Sequence, residues 1–293
     1  MITAPFFQHV LVAVEPEDDC ASIDAAHRLA LAFGAALSVV QVVPSAPWPD
    51  NDTKSVQAED VAALQALDAL VAKRTTREAG SFQSAVVHGE PAEAIIGYAQ
   101  RQQASLVVVG THGRRGLERL VLGSVAASVI RTAPCSVLVA RASAPEQGPI
   151  VTACDLAVRM DPVIAAAGAV AKQLGERMMV LHAVEPNMSD AAIVATTIFS
   201  GVVPQQPDKP TVDAIKEAAT GALRAELASA AVDASTEIAA GPAGPLALAR
   251  AQEQNASLIV VGSHNRGRVA RLLLGSVAEE VVRGASCNVL VVR

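Results

Sequence analysis

Residues 110–124 read GTHGRRGLERLVLGS, with Gly110, Gly113 and Gly116 inside seven positions and a closing Gly123-Ser124. The stretch follows the apolar run LVVV and precedes a helical pattern, so it joins a strand to a helix. Backbone amides at a helix start, with a hydroxyl beside them, form an anion site. Glycine lets the backbone adopt positive φ and approach a ligand closely. The chemistry to expect is phosphate binding. The spacing is not GxxxxGK[ST], so this is no Walker loop, and no GxGxxG follows the first strand, which argues against a dinucleotide site. For any one such loop, a tight turn without a ligand is the plain alternative.

The loop occurs twice. At an offset of 152, Ala104–Val139 aligns with Ala256–Val291 at 22 identical positions of 36, and residues 262–276 read GSHNRGRVARLLLGS. VLVAVE (10–15) matches IVTACD (150–155) more loosely, as LSVVQVV (37–43) matches MMVLHAV (178–184). A period near 150 is a duplicated domain rather than a solenoid repeat. The segment RASAPEQGP (141–149) reads as the linker, giving domains 1–142 and 149–293.

The elements that must position the loops alternate within each copy. HVLVAV is a buried strand, and residues 19–34 follow with helical spacing (Ile23, Ala26, Leu29, Ala30, Phe33) and Gly34 as a stop. Strand ALSVVQVV, a helix over 57–80, strand SFQSAVVHG and a helix opening near Pro91 come next. Strand SLVVVG, the glycine loop, a helix from about Ser124 and strand SVLVA complete the copy. Apolar strands alternating with helices predict an α/β fold: two tandem, doubly wound, parallel five-stranded sheets of Rossmann-like type. Copy two carries a longer insert, 186–210, read as a cover over one side of the site or a partner surface.

Composition narrows the class. The chain has 293 residues, 51% hydrophobic and 18% charged, enough for two cores. With Trp48, Tyr98 and five Phe as its only aromatics, the core must be Ala, Val and Leu. A net charge of −6 argues against a nucleic-acid partner. No apolar run reaches membrane-spanning length and no signal-peptide pattern opens the chain, so no membrane insertion and a cytoplasmic location are expected. Cys20, Cys135, Cys154 and Cys287 show no CxxC spacing, so no metal site is implied, and Cys135 and Cys287 read as buried thiols.

The run G-x2-G-x9-G-S, as Gly110, Gly113, Gly123 and Ser124, resembles the nucleotide loop of the ATP-binding universal stress proteins. The likeness extends over both copies, through VAVE, HGEPAEAI, ASLVVVG and GSVAASVIRTAPCSVLVAR. It implies strand order 3-2-1-4-5, with ATP, with or without magnesium, across the ends of strands one and four. Carried over by position, Glu15 and Asp155 would contact the ribose and adenine side, and Val42 and Ala183 would offer backbone to adenine. Gly110, Gly113, Gly123 and Ser124 would hold the phosphates in copy one, and Gly262, Gly275 and Ser276 in copy two. Each copy departs once from the pattern: Glu15 stands where the family usually has Asp, and Asn265 where it has the second glycine. His112 and His264 read as solvated or capping side chains. Arg114, Arg115, Arg119, Arg266, Arg268 and Arg271 fit either a polyphosphate or a solvated face.

Three functions follow. The favoured one is an adenine-nucleotide-binding stress-signalling module, not an enzyme beyond slow ATP hydrolysis. An ATP pyrophosphatase or nucleotidyl transferase would need an SGGxDS loop or HxGH pair after the first strand, and neither VEPEDD nor CDLAVR supplies it. A ligand-free dimerising scaffold is the third, favoured by Glu15 and Asn265 and opposed by the Gly-Ser frame in both copies. Under the strand order that the resemblance implies, the last strands, 136–140 and 288–293, would lie at sheet edges, where apolar strands associate unless covered and where single-domain members of the family typically pair between subunits. Val137–Val139 is therefore expected antiparallel to Val289–Val291, a pseudo-dimer within one chain that leaves room for a homodimer through other surfaces.

Overall fold

Strands that are apolar at every position cannot keep a wet face, so they must lie between two layers of helix. The computed structural model describes residues 6–15, 21–44, 53–76, 81–111, 122–156, 162–184, 209–263 and 274–293, and its inner strands are covered in this way, while the two edge strands, over 83–88 and 235–240, are only half-buried. Copy one runs β1 (His9–Val14), α1 (Ala21–Phe33), β2 (Ala36–Val43), α2 (Thr53–Arg74), β3 (Gln83–His88), α3 (Pro91–Arg101), β4 (Leu106–Gly110), α4 (Ser124–Thr132) and β5 (Ser136–Ala140). Copy two runs β6 (Ile150–Ala153), α5 (Pro162–Leu174), β7 (Met178–Val184), α6 (Lys209–Ala230), β8 (Ser235–Ala240), α7 (Ala243–Glu253), β9 (Leu258–Gly262), α8 (Ser276–Gly284) and β10 (Asn288–Val292).

Each copy has the order 3-2-1-4-5, and the two sheets join as one, β3-β2-β1-β4-β5-β10-β9-β6-β7-β8. Pairing is parallel except at the seam, where Val139, Leu138 and Val137 face Val289, Leu290 and Val291 antiparallel. All six are at most 2% exposed. Burial of that kind stabilises by about 1.5–3 kcal/mol per side chain.

Two cores result, one on each face. Val10, Val12, Val39, Leu106 and Val108 pack under α1, and Ile150, Val180 and Val260 continue the layer under α5. On the other face Leu11, Val40, Val107 and Val109 pack with Ile95 of α3 and Val129 of α4, and the layer runs on through Val281 of α8. Both layers cross the seam, one through Leu138 and Leu290, the other through Val137 and Val289.

The expected core of α1 is found: Ile23, Ala26 and Ala30 are fully buried, and Gly34 ends the helix at φ +62°. Helix α2 differs from its expected bounds of 57–80, opening at Thr53 and closing at Arg74. Its end is set from a distance, because the Thr76 N–H donates to His27 Nε2 of α1 (3.2 Å) rather than continuing the helix. Cys287 is buried as expected, whereas Cys135 is only half-buried; Cys20 lies outside the described residues. No helix among the described residues is long and apolar enough to cross a membrane.

Candidate functional site

In an open parallel sheet, ligands bind at the carboxyl edge where neighbouring strands send their chains to opposite faces. Here that point lies between β1 and β4, and again between β6 and β9. Helix α1, which follows β1, belongs to one core; α4, which follows β4, belongs to the other.

Register gathers the predicted residues at this edge. Ala13 faces Val109, so Gly110 and Glu15 lie just beyond the paired ends of β4 and β1. The β1–β2 ladder stops at Val14–Gln41, whereas β2 continues beside β3 to Val43–His88. Val42 therefore sits where β2 outruns β1. Copy two repeats this: β6 pairs with β7 as far as Ala153–Leu181, and β7 runs on with β8 to Val184–Ala240, carrying Ala183 past the end. Glu15 and Asp155 are both half-buried. Gly113 and Asn265, the two histidines His112 and His264, and all six loop arginines lie outside the described residues, as does 186–208 of the insert.

The loop is closed at its base. The Gly123 N–H donates to Thr111 O (3.0 Å), and the Gly275 N–H donates to Ser263 O (3.0 Å). Each glycine is then the N-cap of the next helix, Gly123 at φ −62°, ψ 153° and Gly275 at φ −63°, ψ 149°, with no side-chain cap. The first intrahelical bonds are Ala127 N–H to Gly123 O and Glu279 N–H to Gly275 O (both 2.9 Å). That leaves the amides of Ser124, Val125 and Ala126, and of Ser276, Val277 and Ala278, without an intrahelical acceptor. Helix α3 differs, since the Glu90 carboxylate accepts from Ala92 N–H (3.0 Å) and Glu93 N–H (3.3 Å) and fills its own first turn. Uncapped amides, exposed Ser124 and Ser276 and the positive end of the helix dipole form a donor set suited to phosphate.

The positive φ expected at Gly110 is not found, and Gly113 and Gly116 lie outside the described residues. Gly110 and Gly262 are extended strand residues paired with Ala140 and Val292, and Gly123 and Gly275 have negative φ. What Gly123 and Gly262 supply is space: a Cβ on Gly123 would stand 3.3 Å from Thr111 O, and one on Gly262 3.1 Å from Val163 Cγ2. Positive φ belongs instead to Gly89 (+138°) and Gly241 (+135°) at the ends of β3 and β8, which donate to Val43 O (3.2 Å) and Val184 O (3.1 Å).

Sequence reasoning missed four residues at the edge. Thr111 and Ser263 carry the loop-base carbonyls; the signal was a hydroxyl residue after the strand glycine in both copies. His182 lies with Nδ1 3.0 Å from Cys154 O, directly before Asp155, and Gln41 is its counterpart in copy one. Thr152, fully buried in β6, has no partner for its Oγ1; copy one has Val12 there. Among the described residues no three His, Cys, Asp or Glu side chains stand together to hold a metal ion.

The profile of the universal stress protein family matches residues 6–141 and again 148–293. A universal stress protein of Methanocaldococcus jannaschii is 43% identical over 70 residues, 24% of this chain and 41% of that protein. One of Mycobacterium tuberculosis is 29% identical over 259 residues, 84% of this chain and 78% of the relative. The crystal structure of a universal stress protein from Archaeoglobus fulgidus superposes with a TM-score of 0.65 at 19% identity, over 99% of this chain and 98% of that one, which is a likeness of fold.

Proposed function

The chain belongs to the universal stress protein family, and from that premise we propose that it binds an adenine nucleotide in each copy and signals through the bound state. One observation carries this reading: a helix whose first turn lacks a cap, behind a loop tied at its base, at the sheet's switch point, twice in one chain. Phosphate is held by the amides and hydroxyl at Ser124 and Ser276, while the acids Glu15 and Asp155 face the ribose. The backbone at Val42 and Ala183, where the second strand outruns the first, is the edge available to adenine. ATP is the favoured nucleotide, because the G-x2-G-x9-G-S frame resembles the ATP-binding branch of the family. The protein is a binding module rather than a catalyst, and its occupancy is the signal that a stress-response partner reads.

The scaffold reading is favoured by a different observation, the fully buried antiparallel seam, which pairs the copies without a ligand. One experiment separates the two. Purified protein is denatured and the supernatant examined by mass spectrometry, with calorimetric titration of ATP, ADP and AMP alongside. Released or titrated nucleotide supports the binding reading, and Gly123→Ala combined with Ser124→Ala then weakens copy one. Neither release nor binding heat leaves the scaffold.

A further inference from the structure

Each copy ends its last strand on an arginine that reaches across the seam into the other copy. Arg293, after β10, donates through Nη2 to Ile130 O (2.6 Å) and Arg131 O (2.7 Å), in the last turn of α4. Arg141, after β5, donates through Nη2 to Val282 O, in the last turn of α8. The contacts are equivalent by the offset of 152, since 141 maps to 293 and 130 to 282. The backbones match too: Arg141 N–H donates to Asn288 Oδ1 (2.9 Å) and Arg293 N–H to Ser136 Oγ (3.3 Å).

These cations are unusual in their partners. Arg141 is 5% exposed, and among the described residues no carboxylate side chain stands within ion-pair distance of either guanidinium. A buried cation is costly unless its donors are met. What meets Nη2 of each is the carbonyl end of a helix, where the macrodipole is negative, while each Nε is buried without a partner. Those two helices are the ones whose uncapped amino ends follow the glycine loops. A helix of nine residues is about 13 Å long, so a cation at one end and an anion at the other act on one short dipole.

Arg293 is also tied to its own copy's loop. The Gly275 N–H donates to Ser263 O (3.0 Å), and the Ser263 N–H donates to Val292 O (2.9 Å). A continuous line of bonds thus runs from the loop base of copy two, along the end of β10, into the last turn of α4.

We propose that Arg293 and Arg141 are positioning residues for the phosphate site of the opposite copy, each fixing in trans the carboxyl end of the helix whose amino end receives the ligand. This rests on the nucleotide reading above. Each half supplies the other with a fixed, correctly polarised helix, and a copy without its partner has an incomplete site.

The test uses the full chain and 8-azido-ATP, with photolabel titrated and mapped to peptides of each copy. Arg293→Met weakens labelling of copy one by about fivefold and leaves copy two within about twofold of the parent. Arg141→Met gives the mirror image. Arg293→Lys keeps the cation but not the planar fork, recovers part of the loss, and serves if the Met variant does not fold. In the ligand-free protein, hydrogen exchange rises in α4 for the Arg293 variants and in α8 for the Arg141 variants. Equal weakening of both copies, or loss confined to the variant's own copy, overturns the proposal and leaves nucleotide binding intact. A parent chain that takes no label overturns the nucleotide reading itself, and with it the proposal.

Discussion

Copy one closes its first strand on Val14-Glu15 beside Gln41, whereas copy two closes on Cys154-Asp155 beside His182, whose ring is bonded to the Cys154 carbonyl (3.0 Å). Deeper in, copy one has Val12 where copy two has Thr152 with no partner. Yet the loop-base bonds are 3.0 Å in both copies, and the N-cap glycines differ by only a few degrees. The frame is made of backbone bonds and of glycines that leave room for them. Side chains at its mouth can therefore diverge without moving it. Two sites with one backbone and different linings are the natural product of such a design.

The largest expected effect comes from removing what lets the copies be compared as one body. Leu138→Pro puts a ring and a missing N–H into β5 at the middle of the seam, which breaks that strand's ladder and strands buried carbonyls, each at a cost of about 1–3 kcal/mol. The halves should separate, with faster cleavage in the 141–149 linker and a larger hydrodynamic radius. An unchanged protease pattern and radius would mean that the seam is not what joins them.

Next in size is the buried hydroxyl. Thr152→Val should raise the denaturation midpoint by the equivalent of about 1–2 kcal/mol, because a desolvated Oγ1 without a partner is replaced by a methyl group. The mirror change, Val12→Thr, should lower it by a similar amount. If the first change destabilised the protein, Thr152 would have to be meeting a need that Val12 does not share.

A smaller effect belongs to the loops. Asn265→Gly restores the second glycine of the pattern in copy two and should improve ATP binding there by about threefold, roughly 0.7 kcal/mol, by calorimetry. No gain would remove Asn265 as a cause of any affinity difference between the copies.

The smallest concerns the matched thiols. Burial pushes both Cys135 and Cys287 up to about 11. Both pKa values are raised on folding, so the contribution to stability is present below about 9, the ordinary thiol value, and lost as pH climbs towards 11. Stability should therefore fall over pH 9–11, less so when both are replaced by Ala in a variant that still folds. At pH 8.5, iodoacetamide followed by peptide mapping should modify half-buried Cys135 before buried Cys287.

The alternating α/β elements, the duplication and the strand-to-helix setting of the loops were legible because each is written as a pattern: apolar strands, helical spacing, and a whole copy repeated. Strand order and the seam followed only from the resemblance to the universal stress proteins. The end of α2 was not, since it depends on a bond from Thr76 to His27 in another helix. Positive φ was expected of the loop glycines, yet Gly110 is extended strand, and Gly113 and Gly116 lie outside the described residues. The demand for space at Gly123 and Gly262 is visible only once Thr111 O and Val163 have positions. The arginine caps left no local signal either. Arg141 reads as the start of the linker and Arg293 as the end of the last strand, and their acceptors lie more than a hundred residues away.

Gly148 is not slack: a Cβ there would stand 2.6 Å from Asn255 O, its N–H donates to Glu176 Oε1 (3.3 Å), and Ser257 Oγ lies 3.0 Å from its carbonyl. Glu176 in turn meets Arg28 of copy one (2.5 Å). Two separate subunits paired by the same seam would part on dilution, so their pairing would rise and fall with expression level. A short tether holds its partner at an effective concentration of about millimolar whatever the abundance. Pairing in this chain is thereby independent of copy number, and a cell holding a few molecules has the same fraction of joined halves as one holding thousands.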